Sequence, residues 1–357
     1  MPALTDLGWS ERLAEAFVPH ANTGLVPGRV SLEHTHIYRV ITEAGEGLAR
    51  ISGRLRHDAG ARVDFPAVGD WVALEPPAQG GSARIRAVLP RASRFSRRAA
   101  GDRTEEQVVA ANIDTVFLVS GLDGDFNPRR IERYLVVAWE SGASPVIVLN
   151  KADLVDDPAA SVAQVRQIAA GVAVHAVTCE RPETLDVLRQ YLGAGHTGAL
   201  LGSSGVGKST IVNRLIGHDL LRTRHVRESD SRGRHSSTAR QLVLLPGHGV
   251  LIDTPGMREL QLWETGDALG GAFSEVDALA AGCRFRDCRH RQEPGCAVRA
   301  AVERGELPAA RLESYLKLAG EQEYQTRQQD QRALLDQKRK SRIASKGLTR
   351  RLKDKDR

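Results

Sequence analysis

Two hydrophobic rhythms divide the chain. Between Gly28 and Arg94, apolar and polar residues alternate in short runs at His36–Val40, Leu48–Ile51, Gly69–Leu74 and Ala83–Val88, broken by glycines and without a helical period. Five or so short strands in about 65 residues predict a small β-barrel, with an OB-fold as the favoured form. From Asp114 the rhythm changes to continuous apolar runs. These lie at Asp114–Ser120, Pro145–Leu149, Val172–Val177, Gly198–Leu201, Gln241–Leu245 and Val250–Ile252. Helical stretches fall between them at Ala159–Ala169, Glu183–Leu192 and Thr210–Ile216. Asn127 and Pro128 are good N-cap and N1 residues for a further helix, running through Trp139 and ended by Gly142. Six strands with crossover helices predict an α/β unit whose mostly parallel sheet is covered on both faces. Helices are expected again at Asp267–Ala281 and Pro308–Gln325, making the C-terminal region mainly helical. The pattern divides the chain into a flexible segment 1–27, a barrel 28–98, an α/β domain 99–262 opening on a linker at Arg97–Gln107, a helical domain 263–330 and a tail 331–357.

Composition sharpens the two ends. At 357 residues the chain is too long for one ordinary core, which agrees with several domains. No run approaches the roughly 20 apolar residues of a membrane span. Met1–His20 carries acids and lacks a signal-peptide core, so a cytoplasmic protein is expected. The net charge of +6 is unevenly placed: residues 331–357 hold 11 Lys/Arg and 3 Asp, a net +8, which leaves the first 330 residues at −2. Such a tail has too little apolar content to fold before it meets an anion. A second cluster, Arg84, Arg86, Arg91, Arg94, Arg97 and Arg98, has no acid between its ends. Both are the footprint expected of nucleic-acid binding, with a solvated charged face as the plain alternative.

Candidate chemistry gathers at the ends of the predicted strands. Gly202-Ser203-Ser204-Gly205-Val206-Gly207-Lys208-Ser209, followed by Thr210, fits G-x-x-x-x-G-K-[ST] between a strand and a helix. In that context successive backbone N–H groups cradle phosphates, Lys208 reaches the outer ones, and the Ser209 hydroxyl can ligate Mg²⁺. Asp253-Thr254-Pro255-Gly256 places an acid for Mg²⁺ at a strand end and a glycine N–H for a γ-phosphate. Asn150-Lys151-Ala152-Asp153 follows another strand. Its Asp can accept from both the ring N–H and the exocyclic amine of guanine, a donor pair that adenine lacks. Thr178 and Cys179 follow a third strand, where a weaker second guanine contact belongs. The three motifs on one sheet make GTP with Mg²⁺ the expected ligand.

The motif order is permuted. In Ras-like GTPases the phosphate loop comes first and the guanine loop near the end, whereas here the guanine loop lies about 50 residues before the phosphate loop. A chain that starts at the fourth strand of that fold and returns through the first three has this order. Its γ-phosphate-sensing segment then leads straight into the C-terminal region. There Cys283, Cys288, His290 and Cys296, spaced C-x4-C-x-H-x5-C, form a closed Cys₃His set suited to structural Zn²⁺.

With these motifs in this order, a preceding small barrel and a following Cys₃His segment, residues 28–330 closely resemble the RsgA family of small-ribosomal-subunit biogenesis GTPases. The resemblance implies an OB-fold, a circularly permuted GTPase domain and a zinc domain that dock on the 30S subunit late in assembly, with hydrolysis stimulated by that subunit. It also implies 16S rRNA as a partner, no membrane, and guanine, phosphate and zinc contacts on the residues named above. The family's switch I motif appears as Gly233-Arg234-His235-Ser236-Ser237-Thr238. Ser236 and Ser237 each keep a hydroxyl that can ligate Mg²⁺, and Ser237 is preferred. Met257 follows Gly256 where Ras-like enzymes carry a water-orienting Gln, which leaves His235 as the candidate catalytic group. The monomer is expected. The competing expectation is a non-catalytic rRNA-binding scaffold whose nucleotide site is structural, and the complete set of motifs weighs against it.

Overall fold

The computed structural model describes residues 2–34, 37–77, 81–98, 106–124, 126–217, 240–247, 249–253, 268–324 and 326–327. The barrel is the first unit built around its own core. Its strands are β1 (Val26–His34), β2 (Ile37–Thr42), β3 (Gly45–Ile51), β4 (Trp71–Glu75) and β5 (Ala83–Val88). They are ordered β1-β2-β3-β5-β4 and closed by β4 returning to β1, with Gly28 opposite Val72. Alternation sends Val30, Tyr38, Val40, Ala49, Val72, Leu74 and Ile85 inward. After β3 comes a helix at Gly53–Asp58, capped by the Ser52 hydroxyl, which accepts from Leu55 N at 3.1 Å.

The N-terminus departs from expectation. Instead of a loose segment, residues Glu11–Ala21 form helix α1, so the helix at 53–58 is α2. Leu4, Leu7, Leu13 and Phe17 are buried, and Trp9 packs edge-on against Trp71 with centroids 4.9 Å apart. Apolar area buried on the barrel orders a helix whose own pattern is too sparse to announce it. Nor is the stretch after the barrel only a linker: β6 (Arg94–Arg98) pairs antiparallel with β7 (Glu106–Ala111).

The α/β unit contains β8 (Thr115–Gly121), α3 (Pro128–Ser141), β9 (Ser144–Asn150), α4 (Pro158–Ile168), β10 (Ala173–Ala176), α5 (Asp186–Arg189), β11 (Thr197–Gly202), α6 (Lys208–Ile216), β12 (Arg240–Leu244) and β13 (Val250–Asp253). Its sheet runs β10-β9-β8-β11-β13-β12, parallel except for β12. The strands that come first in the chain form one edge, and β11, the phosphate-loop strand, enters between β8 and β13. That is the permuted arrangement the motif order predicts. Successive residues of β8 face opposite layers. Val116 and Leu118 meet α3 and α4 through Ile131, Leu135 and Val165, and Phe117 and Val119 meet α6 through Ile211 and Leu215.

The barrel and this sheet are continuous. β12 pairs antiparallel with β1, Glu33 opposite Arg240, and the two side chains form an ion pair at 3.1 Å. Deeper in the junction Arg29 is 1% exposed and donates to Gly69 O (3.2 Å), Asn112 O (3.1 Å), Thr197 Oγ1 (2.8 Å) and Leu7 O. Burial lowers its pKa to about 10 against the opposing pull of Asp114 and Asp70. The basic cluster is divided: Arg84 and Arg86 are exposed, whereas Arg91 belongs to the framework. Arg91 makes a two-pronged pair with the fully buried Asp70 at 2.7 and 2.8 Å, and Arg86 and Arg94 pair with Glu75 and Glu106.

In the C-terminal region the predicted helix 267–281 is two helices, α7 (Ala268–Ala272) and α8 (Ser274–Ala280), divided at the buried Phe273. The chain continues into α9 (Ala297–Glu303) and a helix at 309–324. This last helix brings Arg311 over the Phe273 ring at 4.0 Å.

Candidate functional site

Two loops, after β9 and β11 on either side of β8, make the candidate nucleotide site. β8 lies parallel to both β9 and β11, with Val119 opposite Val148 on one side and Gly202 on the other, so Asn150 and Gly202 emerge at the same edge. This is where open α/β sheets bind ligands. A Cβ at Gly202 would strike the Val119 carbonyl, and one at Gly207 would strike Asn150 Nδ2. Gly207 also has φ +96° as the N-cap of α6. The space it leaves is used: Asn150 Nδ2 donates to Val206 O at 2.8 Å, so the guanine loop braces the phosphate loop directly.

Within the loop, Lys208 Nζ donates to the carbonyls of Gly202 (2.8 Å) and Ser203 (2.6 Å). An ammonium held by neutral carbonyls can exchange them for phosphate oxygens, because charge-assisted bonds are the stronger kind. Ser204 and Gly205 are exposed, Val206 is buried, and Ser209 and Thr210 sit in the first turn of α6. Asp253 ends β13 beside β11. Burial pushes its carboxyl pKa up, and the nearby Lys208 charge pulls it down. The Mg²⁺-type acid and the phosphate-type lysine therefore share one corner.

At the guanine end, Thr178 Oγ1 donates to Asp153 Oδ1, and Cys179 Sγ donates to Asn150 Oδ1 at 3.8 Å. Burial pushes the Cys179 thiol pKa up, which disfavours the reactive thiolate. Lys151 takes a left-handed φ of 62° and pairs with Asp123 at 2.5 Å. Ala152 is buried beneath the loop. The structure thus brings Asn150, Lys151, Ala152, Asp153, Thr178 and Cys179 together. His235, Ser236, Ser237 and Gly256 lie outside the described residues.

Sequence reasoning missed Asp123 and Arg130. Asp123 follows β8 and holds Lys151; Arg130, in the first turn of α3, donates from Nη1 to Ser203 Oγ at 2.6 Å. Neither belongs to a motif, and only the sheet order brings them to the loops.

The second centre is the Cys₃His cluster. Sγ of Cys283, Cys288 and Cys296 and a ring nitrogen of His290 all lie within 4.8 Å of one another. His290 Nδ1 is 3.6 Å from Cys283 Sγ and 3.4 Å from Cys296 Sγ, and these two sulfurs are 4.0 Å apart. Zinc bonds of about 2.3 Å to sulfur and 2.0 Å to nitrogen give tetrahedral edges of about 3.5–3.8 Å, so the donor set fits that ion. His290 adopts φ 58° to turn its ring inward, against Tyr315. Cys296 caps α9, its Sγ accepting from Arg299 N at 3.5 Å, and a helix N-terminus favours a thiolate. Four protein donors leave no open position for chemistry.

Comparison with known proteins shows what the whole chain resembles. Residues 88–263 match the family model described as RsgA GTPase. The chain is 49% identical over 336 residues to the small ribosomal subunit biogenesis GTPase RsgA of Opitutus terrae, which covers 92% of each protein. It is 49% identical over 302 residues to RsgA 2 of Lactiplantibacillus plantarum, covering 85% of each. Among solved structures, YjeQ from Thermotoga maritima superposes with a TM-score of 0.64 at 28% identity, covering 84% of this chain and 98% of that one. The chain carries the guanine loop, phosphate loop and Cys₃His cluster in one fold, and it belongs to the RsgA GTPase family.

Proposed function

We propose that this GTP-hydrolysing enzyme binds the small ribosomal subunit during its assembly and that the subunit stimulates turnover. The observation that carries the nucleotide reading is the Asn150–Val206 bond, which joins the guanine loop to the phosphate loop. Asp153 reads the guanine donors, with Asn150, Lys151, Ala152, Thr178 and Cys179 shaping that pocket. Backbone groups of residues 202–210 hold the phosphates and Lys208 neutralises them. Ser209, Ser237 and Asp253 hold Mg²⁺, which supplies charge stabilisation of the transferring phosphoryl group. The Gly256 N–H meets the γ-phosphate. Cys283, Cys288, His290 and Cys296 hold one structural Zn²⁺.

His235 is proposed to orient the attacking water, because Met257 has no hydrogen-bonding group for that task. The partner is read from the names of the relatives, small ribosomal subunit biogenesis GTPases, and from the basic tail, whose net +8 suits 16S rRNA phosphates. We take the protein to act as a cytoplasmic monomer.

The test is GTP turnover with and without purified small subunits. Slow basal turnover that the subunits accelerate supports the reading; a rate that they leave unchanged contradicts it. In the same assay His235→Ala is expected to lose most of the stimulated rate while still binding GTP. A variant that responds like the parent assigns the water to another group.

A further inference from the structure

One helix touches the phosphate loop and the helices around the Cys₃His cluster. Asn127 caps α3, its Oδ1 accepting from Arg130 N at 3.3 Å, which fixes the backbone of the first turn and leaves the Arg130 side chain to reach Ser203. Two residues on, Glu132 accepts from Arg311 Nη1 at 2.6 Å, and these side chains are only 4% and 6% exposed. Arg311 also donates to Glu275 and to the Ala272 carbonyl, both at 2.5 Å, in the helices that precede the Cys₃His cluster. Arg129 and Arg133 pair with Glu313 and Glu321 on the same C-terminal helix, at 2.8 and 2.9 Å.

Ser203 is the residue on which these contacts converge. Its carbonyl accepts from Lys208 Nζ and its hydroxyl from Arg130 Nη1, both at 2.6 Å. A phosphate that takes the Lys208 ammonium removes the first bond and leaves the second. The Arg130 bond persists, so any shift of Ser203 between one phosphate state and another is passed to α3 through it.

We infer that Arg130 is a positioning residue of the phosphate loop and that, through it, α3 ties nucleotide state to the helices around Arg311 and the zinc-type cluster. This route is additional to the segment after Asp253, and it rests on nucleotide binding at the phosphate loop. Coupling of this kind is a free energy shared by two sites, so it is read from one while the ligand at the other is changed. Arg130 acts through Ser203, to whose hydroxyl its Nη1 donates. A lysine at 130 keeps the charge but loses the planar fork, so it restores the tie only in part.

The experiment is hydrogen–deuterium exchange across residues 268–327, on the full chain saturated with GDP or with a non-hydrolysable GTP analogue. Fluorescent-nucleotide titration reports binding separately. The parent should show a difference between the two states in the helix carrying Arg311. Arg130→Ala should lose that difference while binding both nucleotides, and Arg130→Lys should recover part of it. Ser203→Ala, the smaller change, should give the same loss as Arg130→Ala and guards against a folding defect in that variant. An Arg130→Ala protein that binds nucleotide and keeps the full difference overturns the inference alone, as does a parent that binds but shows none. A parent that binds no GTP analogue overturns the reading of the loop, and this inference with it.

Discussion

The nucleotide site and the Cys₃His region are built by opposite means. The first sits at the edge of a parallel sheet whose strands β8, β9 and β11 are almost wholly buried, and its loops are braced by backbone and amide bonds such as Asn150–Val206. The second has short helices, the five-residue α7 and the seven-residue α8 and α9, held by four metal-type donors and by Arg311. Preorganisation by a sheet needs no ligand. A fold that relies on a metal depends on it, so loss of the metal should be felt in the second region before the first.

Zinc removal should break the comparison most widely. Structural zinc supplies on the order of 10 kcal/mol to small domains that depend on it, so a chelator should expose residues 283–303 to protease while the α/β sheet stays protected. Limited proteolysis with mass spectrometry reads the outcome, and equal protection of both regions would contradict it. Arg311→Ala comes next. It leaves Glu132 buried without its partner, a loss of about 3–5 kcal/mol of stability that denaturant unfolding measures.

Asp153→Asn sharpens the other side of the comparison. A donor would then face the guanine donors, shifting GTP-over-XTP preference by about 1–3 kcal/mol, roughly 5- to 150-fold, with the fold unchanged. Competition binding gives the ratio. The smallest effect is expected from Arg129→Ala: its pair with Glu313 is exposed on both sides, and such pairs contribute about 0–1 kcal/mol. A large loss in unfolding free energy there would show that the docking of α3 is governed by its rim rather than by Arg311.

The same contrast explains what could be read from residues alone. The two strand-end motifs and the Cys₃His cluster were legible because such chemistry demands fixed residue types at fixed spacing, and β8, β9, β11 and β13 because buried parallel strands are continuous apolar runs. Helix α1 was not, since its order comes from Phe17 packing on Trp9, which in turn meets Trp71 in the barrel. Arg91 and Arg94 looked like surface charge because their acidic partners, Asp70 and Glu106, lie on other strands or loops. The lone residues Arg29, Arg130 and Arg311 each acquire a role only when distant segments are brought together, 168 positions apart for Arg29 and Thr197.

The separability of the two regions is tested most directly by measuring GTP turnover in zinc-loaded and zinc-stripped protein, each with and without purified small subunits. The account predicts that stripping leaves basal turnover close to that of the loaded protein and removes the stimulation by subunits. Stimulation that survives stripping, or basal turnover that collapses with it, would contradict the claim.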